Sequence, residues 1–325
     1  MIRRQEGHVQ PGWQWGPFTF RLPFYHTRIE WPEFLQGLFV SAATGLALVP
    51  VMVSMLGLTF EEAVFMAFLH AMLISTAPIV FGEPFAPGWI TPALPLVLAY
   101  IATTYPTETG RIQAMTAMSL DFAVILILLG MTGLGRKLIE WIPVALKGAI
   151  IMGAALAALI RVFMWADPLP SGNIYQMPVT IGVALTVCLI LTFALPIQLN
   201  KGRMPWLNKL ASLGLLPGFV LAAIVGVLPF VGEFTYDVRW GDNFGVLIPP
   251  VASLFEKVSP FAIGFPTAQM FIESLPLAFI AYIILFGDIV TGIEVLKTGI
   301  PARPDERIDF NSNRTHISTG IRNVL

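Results

Sequence analysis

Glu83, His70, Asp121, Glu273 and Asp288 are ionisable side chains set in or beside runs of apolar residues. A charge at membrane depth costs roughly 3 kcal/mol on insertion scales, so each such group needs a function or a partner. The chemistry open to this set is exchange of a proton or cation and hydrogen bonding to a small polar solute. Glu83 stands in A-P-I-V-F-G-E-P-F-A-P-G-W-I-T-P-A-L-P-L-V-L-A-Y-I, residues 77–101. There it either lines a solute or proton path or caps the helix that follows. His70, in F-L-H-A-M-L, reads first as an interhelical hydrogen-bonding group and second as a coupling residue. Asp121 and Glu273 lie near the ends of their apolar runs, within reach of headgroups. Asp288, in I-I-L-F-G-D-I-V-T-G-I-E-V-L, lies well inside its run, with Glu294 nearer the end. Gly287 and Gly292 allow close backbone approach beside it, and Thr291 adds a hydroxyl. Asp288 is therefore expected in a polar cavity facing the 77–101 segment, with snorkelling to the interface as the rival.

The elements that must position these groups follow from the breaks in the apolar pattern. Gly82, Pro84, Pro87, Gly88, Pro92 and Pro95 rule out one continuous helix across 77–101, because proline lacks the amide and glycine is a poor helix former. The expectation is an extended stretch followed by a half-helix at 89–102. Irregular backbone survives at membrane depth only inside protein or beside a watery cavity, and interrupted segments point to a transporter's binding site. A spanning helix needs about 20 apolar residues, which places further segments near 36–56, 62–80, 111–134, 141–163, 178–196, 213–231 and 267–292. The fold expected is an all-α integral membrane protein with eight membrane segments.

Composition agrees with that class. The 325 residues are 56% hydrophobic and 12% charged, where soluble domains carry about 25% charged residues. The mean hydropathy is +0.75. No basic tract interleaved with aromatics and no compact Cys/His cluster occurs, which argues against nucleic acid and structural zinc. Cys188 is the single cysteine and reads as a small buried hydrophobe, so no internal disulfide forms. The N-terminus has Arg3 and Arg4 but no apolar stretch behind them, unlike a cleaved signal peptide. Trp13, Trp15 and Trp31 suit an interfacial or amphipathic arm before the first span.

The positive-inside rule sets orientation. With a cytoplasmic N-terminus and the half-helix counted as a crossing, fifteen Lys and Arg fall inside, among them Arg21, Arg136, Lys137, Lys201, Arg314 and Arg322. Four fall outside: Arg111, Arg161, Arg239 and Lys257. The expectation is a multi-pass protein of the inner (plasma) membrane.

Read in order, these pieces resemble the nucleobase–ascorbate permeases and, more remotely, the sulfate permeases. G-L-F-V-S-A-A-T-G-L-A-L-V-P-V from Gly37 has the cadence of their first span and its V-P-V-like turn. P-G-W-I-T-P at 87–92 fills the place of their F-A-F-I-S-P-like half-helix opening. W-I-P-V-A-L-K-G-A-I-I-M-G from Trp141 is similar to the opening of their fifth span, and F-G-D-I-V-T-G at 286–292 to their eighth. The resemblance implies a seven-plus-seven inverted repeat, of which this chain carries the first repeat and the start of the second. It further implies an arm at 1–34, core spans one to four at 35–134 and gate spans five to seven at 135–262. Core span eight would follow at 263–296, then a cytoplasmic segment and the start of a ninth span at 297–325. Substrate would sit between the third segment and span eight. Trp89 takes the place of the aromatic that stacks on the base, Thr91 lies beside it, and Asp288 occupies the place of a ligand-bearing His. Ile284 stands where those permeases carry their substrate-binding Glu, and Leu285 where they carry the first His. The resemblance therefore implies a permease without fixing its cargo.

The functional expectation is a secondary active transporter for a small polar or anionic solute. Trp89, Thr91 and Asp288 would bind solute; Asp288, Glu83 and His70 are the coupling candidates; and Gly82, Pro87, Gly88 and Gly287 shape the backbone. Its partners would be the solute, H⁺ or Na⁺, the bilayer and a second copy in a homodimer, with no metal, cofactor or nucleic acid. The alternatives are an integral membrane enzyme, which needs a clustered catalytic set, and a channel, which needs a repeated filter sequence. The second half-helix and half of the gate are missing from the pattern. The chain reads as a fragment, or as a half-transporter completed by a partner, that leaves Glu83, Thr91 and Asp288 open to lipid or water. Alone it should neither bind nor transport.

Overall fold

The computed structural model describes residues 7–27, 31–87, 94–165, 172–200, 204–236, 248–299 and 307–325. It is predominantly helical, and four of the described helical stretches are long and apolar enough to cross a membrane: Phe34–Leu56, Phe60–Phe81, Glu108–Thr132 and Ala268–Leu296. They coincide with the expected spans at 36–56, 62–80, 111–134 and 267–292. The chain is consistent with an all-α membrane protein. It divides into two units, one of Met1–Arg28, Thr44–Ile150 and Ile248–Leu325, the other of Ile29–Ala43 and Ile151–Leu247.

The first unit opens with a hairpin, β1 (Trp13–Trp15) paired antiparallel to β2 (Phe18–Phe20), turning at Gly16, whose φ of 55° a residue with a Cβ rarely adopts. Helix α1 (Trp31–Leu46) begins in the other unit and ends in this one, followed by α2 (Val49–Leu56) and α3 (Phe60–Thr76). The short α4 (Leu94–Thr104) leads to α5 (Glu108–Thr132) and α6 (Leu134–Trp141). Helix α7 (Val144–Phe163) runs on into the second unit. That unit holds α8 (Pro178–Phe193), α9 (Leu195–Asn200), α10 (Pro205–Ser212) and α11 (Leu216–Gly226). The first unit resumes with α12 (Val251–Val258), α13 (Pro260–Ile263), α14 (Ala268–Gly299) and α15 (Ser312–Val324). Helices α6 and α12, expected with the gate residues 135–262, thus lie in the first unit.

Helices α5 and α14 form the centre of the first unit. Phe122, Ile125 and Leu126 of α5 pack on Ala278, Tyr282, Leu285, Ile289 and Ile293 of α14, with Ile139 of α6 beside them. Helix α15 lies along α5, and glycines on each side let the backbones close up, as small residues do between membrane helices. A Cβ on Gly130 would come within 2.6 Å of Ile317, and one on Gly320 within 2.6 Å of Ile127. Ser119 donates to the Asn323 carbonyl at 2.9 Å, while Arg136 N–H donates to Asn313 Oδ1 at 3.3 Å. The pair is therefore antiparallel, about four turns long. In the second unit α8 packs on α11 through Gly218, where a Cβ would strike Cys188 Sγ, and through Gly226 against Thr180. Cys188, expected to be buried, is half-buried there.

Much apolar surface faces outward, including Trp141, Phe230, Phe261, Ile272 and Met131. A soluble monomer rarely exposes this much, whereas a bilayer covers it.

Candidate functional site

The broken segment starts where α3 stops being an α-helix. Ala77–Phe81 widen into a single π turn, with Pro78 at its start, and both Gly82 and Glu83 donate their N–H to the Ala77 carbonyl. Proline's missing amide and clash with the preceding turn favour such a rearrangement. Gly82 takes a left-handed conformation, φ 70°, and ends the helix. Widening and termination leave the carbonyls of Ile79, Val80 and Gly82 free for other donors.

The N-terminal hairpin supplies those donors. Trp15 Nε1 donates to Val80 O at 2.7 Å, Arg21 N–H to Ile79 O at 2.7 Å and Arg21 Nη1 to Gly82 O at 2.6 Å. A Cβ on Gly82 would lie 2.6 Å from Thr19 O, so only glycine admits the hairpin this closely. Phe18 packs edge-on against Phe81 at 5.0 Å. His26 locks the loop behind it: its Nδ1 accepts from Leu22 N–H at 2.9 Å, its carbonyl accepts from Gln10 Nε2, and Trp13 meets its ring edge-on. The arm, expected to lie at an interface, is part of the first unit's packing.

Glu83 follows directly and is 1% exposed. Its Oε1 accepts from Arg314 Nε at 2.7 Å and its Oε2 from Thr315 Oγ1 at 2.6 Å. Arg314 also donates from Nη1 to Asp309 Oδ2 at 2.8 Å and from Nη2 to Asp309 O at 3.0 Å. Asn311 caps α15, its Oδ1 accepting from the N–H groups of Asn313 and Arg314. Glu83 is thus neither open to lipid nor to water, contrary to the expectation of an uncovered cavity. The segment expected as a cytoplasmic stretch before a ninth span forms a polar helix that covers it. Arg314 and Arg322, counted as loop cations, are buried at 8% and 7% exposure.

Other groups on α15 are equally enclosed. His316 is fully buried; its Nδ1 lies 2.6 Å from Ser312 O and its Nε2 3.3 Å from the Tyr282 hydroxyl. The carbonyl only accepts, which assigns the proton to Nδ1 and makes Nε2 the acceptor from Tyr282. Gly135 leaves room for the ring, since a Cβ there would lie 2.8 Å from it.

The remaining candidates separate. Asp288 is exposed on α14, and no hydrogen bond or ion pair joins it to Glu83 among the described contacts. The broken segment meets α14 one turn later, where Phe85 fills the space a Cβ of Gly292 would occupy, and Phe85 stacks on Phe310 at 5.8 Å. Thr291 bonds its own helix at Gly287 O, 2.8 Å away. Gly287 and Pro87 are buried, and His70 is half-buried on α3. Trp89, Thr91 and Gly88 lie outside the described residues. Asp121 accepts from Ser274 Oγ at 2.6 Å, and Glu273 from Tyr105 at 2.7 Å and Gln269 at 2.6 Å. These two carboxylates are answered locally between helices.

Glu62 is the N3 member of a capping box with Thr59 and is 2% exposed. Lys257 Nζ reaches its Oε2 at 2.7 Å and Ser253 Oγ its Oε1 at 2.8 Å, which fixes α12 on α3. A cleft of about 190 Å³, lined by Leu56, Gly57, Glu108, Thr109, Ile112, Glu256, Lys257 and Ile263, opens beside this pair at the far end of α5 from Glu83.

Sequence reasoning missed Arg314, Thr315, His316 and Arg322 because α15 is too polar for a hydropathy window. The signal available was the Asn311 cap followed by Thr315, Ser318, Thr319 and Arg322 at helical spacing. No protein-family model and no curated protein matches the chain.

Proposed function

We propose that the chain is a membrane permease: a secondary active transporter of a small polar or anionic solute, coupled to H⁺ or Na⁺, of the nucleobase–ascorbate permease type. The observation that carries the reading is the interrupted element at the centre of the first unit. A spanning helix ends in a π turn and the chain breaks at Gly82, with the carboxylate that follows held by a buried polar helix. A polar interruption of this kind has no use in a purely structural span, because each unsatisfied backbone group costs several kcal/mol in lipid. It is the form that binding segments take in transporters. Glu83 replaces Asp288 as the leading coupling group: protonation or cation binding at its carboxylate competes directly with Arg314 and so biases the packing of α15 against the broken segment.

Uptake by proteoliposomes tests the proposal. Nucleobases, sulfate, bicarbonate and small carboxylates are offered with and without inward H⁺ and Na⁺ gradients. Gradient-driven accumulation of one class is expected; folded protein that moves none of them under either gradient refutes the reading.

A further inference from the structure

Two arginines lie buried on α15, and they are treated differently. Arg314 faces two carboxylates, Glu83 and Asp309. Arg322, two turns on, has no carboxylate within 4 Å among the described residues and is 7% exposed. Its donors go back to its own helix, Nε to Ser318 O at 3.3 Å and Nη2 to Thr319 Oγ1 at 2.9 Å. A guanidinium carries five N–H donors in a planar fork, so three remain. Nη1 donates to no protein atom among the described residues.

Position adds to this. Thr315 and Arg322 are seven residues apart, two helical turns, and so lie on one face. Thr315 donates to Glu83 from that face, and Ser318 and Thr319 stand between. The charge of Glu83 is felt at Arg322, but its two oxygens are already taken by Arg314 and Thr315. The face of α15 turned towards the broken segment thus ends in a cation that touches no carboxylate directly, preceded by hydroxyls.

We infer that Arg322 is an anion-binding residue and that the solute it takes is a small oxyanion of the carboxylate, bicarbonate or sulfate kind. A buried cation without a partner is retained against its desolvation cost when an anion completes it, and the guanidinium fork matches two oxygens of such an anion. The inference deepens the transport reading by naming the charge of the cargo, and it rests on that reading only for the step of movement across the membrane. Arg322 and the hydroxyls beside it belong to this chain, so the chain is expected to bind the anion by itself, unlike the expectation from the sequence pattern that it binds nothing alone.

The test separates binding from transport. Purified full-length chain in detergent is titrated with sodium sulfate, formate and bicarbonate at constant ionic strength against gluconate, with thermal unfolding as readout, and uptake of the same labelled anions is measured in proteoliposomes. At least one anion should raise the unfolding midpoint. Arg322→Gln should weaken that effect by about tenfold or more, as expected for losing a charge-assisted bidentate contact. Arg322→Lys, which keeps the charge and loses the fork, should restore binding in part. Binding without uptake supports the site and refutes transport. Midpoint shifts equal in wild type and Arg322→Gln, or no shift beyond the gluconate control, overturn the site even where uptake persists. Should Arg322→Gln not fold, an anion response in Arg322→Lys equal to wild type overturns it as well.

Discussion

Arg314→Leu should cost far more stability than Glu83→Gln, although both break the same ion pair. The Glu83 side chain is wholly buried, Arg314 is 8% exposed, and Nε meets Oε1 at 2.7 Å. Taking the charge centres as about 4 Å apart at an effective dielectric of about 20, their attraction is about 4 kcal/mol. In Glu83→Gln the guanidinium keeps Asp309 at 2.8 Å, and the amide oxygen still accepts from Nε, so the loss is about 2 kcal/mol. In Arg314→Leu the carboxylate keeps only the Thr315 hydroxyl, and a buried charge left without its partner costs about 3–5 kcal/mol. The double variant leaves no buried unpaired charge, since Asp309 is about a third exposed, and should recover about 2 kcal/mol relative to the sum of the single losses. Equilibrium unfolding of the detergent-solubilised protein, run as a double-mutant cycle, measures all three. Equal single losses that simply add would refute the view that this pair clamps α15 to the broken segment.

Arg21→Met removes the donor to Gly82 O and should destabilise the protein by about 1–3 kcal/mol, read as faster proteolysis of the 7–27 arm; an arm as resistant as wild type would show that the hairpin does not hold the π turn. Gly320→Val puts side-chain atoms where Ile127 and the Ala123 carbonyl already lie, and a loss of about 1–3 kcal/mol is expected from overpacking; a wild-type unfolding midpoint would show that α15 does not lie against α5. Glu233 accepts the N–H of Val179 at 2.6 Å and of Thr180 at 2.8 Å, capping α8. Burial works against its charge, and hydrogen bonding from Thr180 and Val179 outweighs it, holding the carboxyl below its ordinary value. A depressed folded-state pKa means stability that is full above the unfolded value and lost as pH falls through the folded one. Glu233→Gln should therefore cost about 1 kcal/mol or less at neutral pH and nothing in strong acid, where pH-resolved unfolding curves should merge; a cost that persists in acid would exclude the capping role. For orientation, single Cys residues at 172–176 and 233–236 should react with an impermeant reagent from outside while one at 307 stays protected, and the reverse pattern would overturn the proposed topology.

Hydropathy alone marked the helices that are long and apolar enough to cross a membrane. Long apolar runs have no solvent but the bilayer, and helix is the form that satisfies their backbone, so Phe34–Leu56, Phe60–Phe81, Glu108–Thr132 and Ala268–Leu296 were legible from composition and length. The break was legible too, because Pro78, Gly82 and Pro84 act on the backbone within a residue or two of themselves. What answers the break was not. The donors to Ile79, Val80 and Gly82 come from a hairpin about sixty residues earlier, and the cation that holds Glu83 lies 231 residues later. Pairings over such separations leave no mark in local pattern, since any arginine on any polar segment would read alike. Helix α15 shows the limit most plainly. Its residues are polar, so the sequence assigned them to a cytoplasmic segment and the first turns of a ninth span, and only packing against α5, α6 and the π turn, with Gly130, Gly135 and Gly320 clearing the way, gives them a buried place.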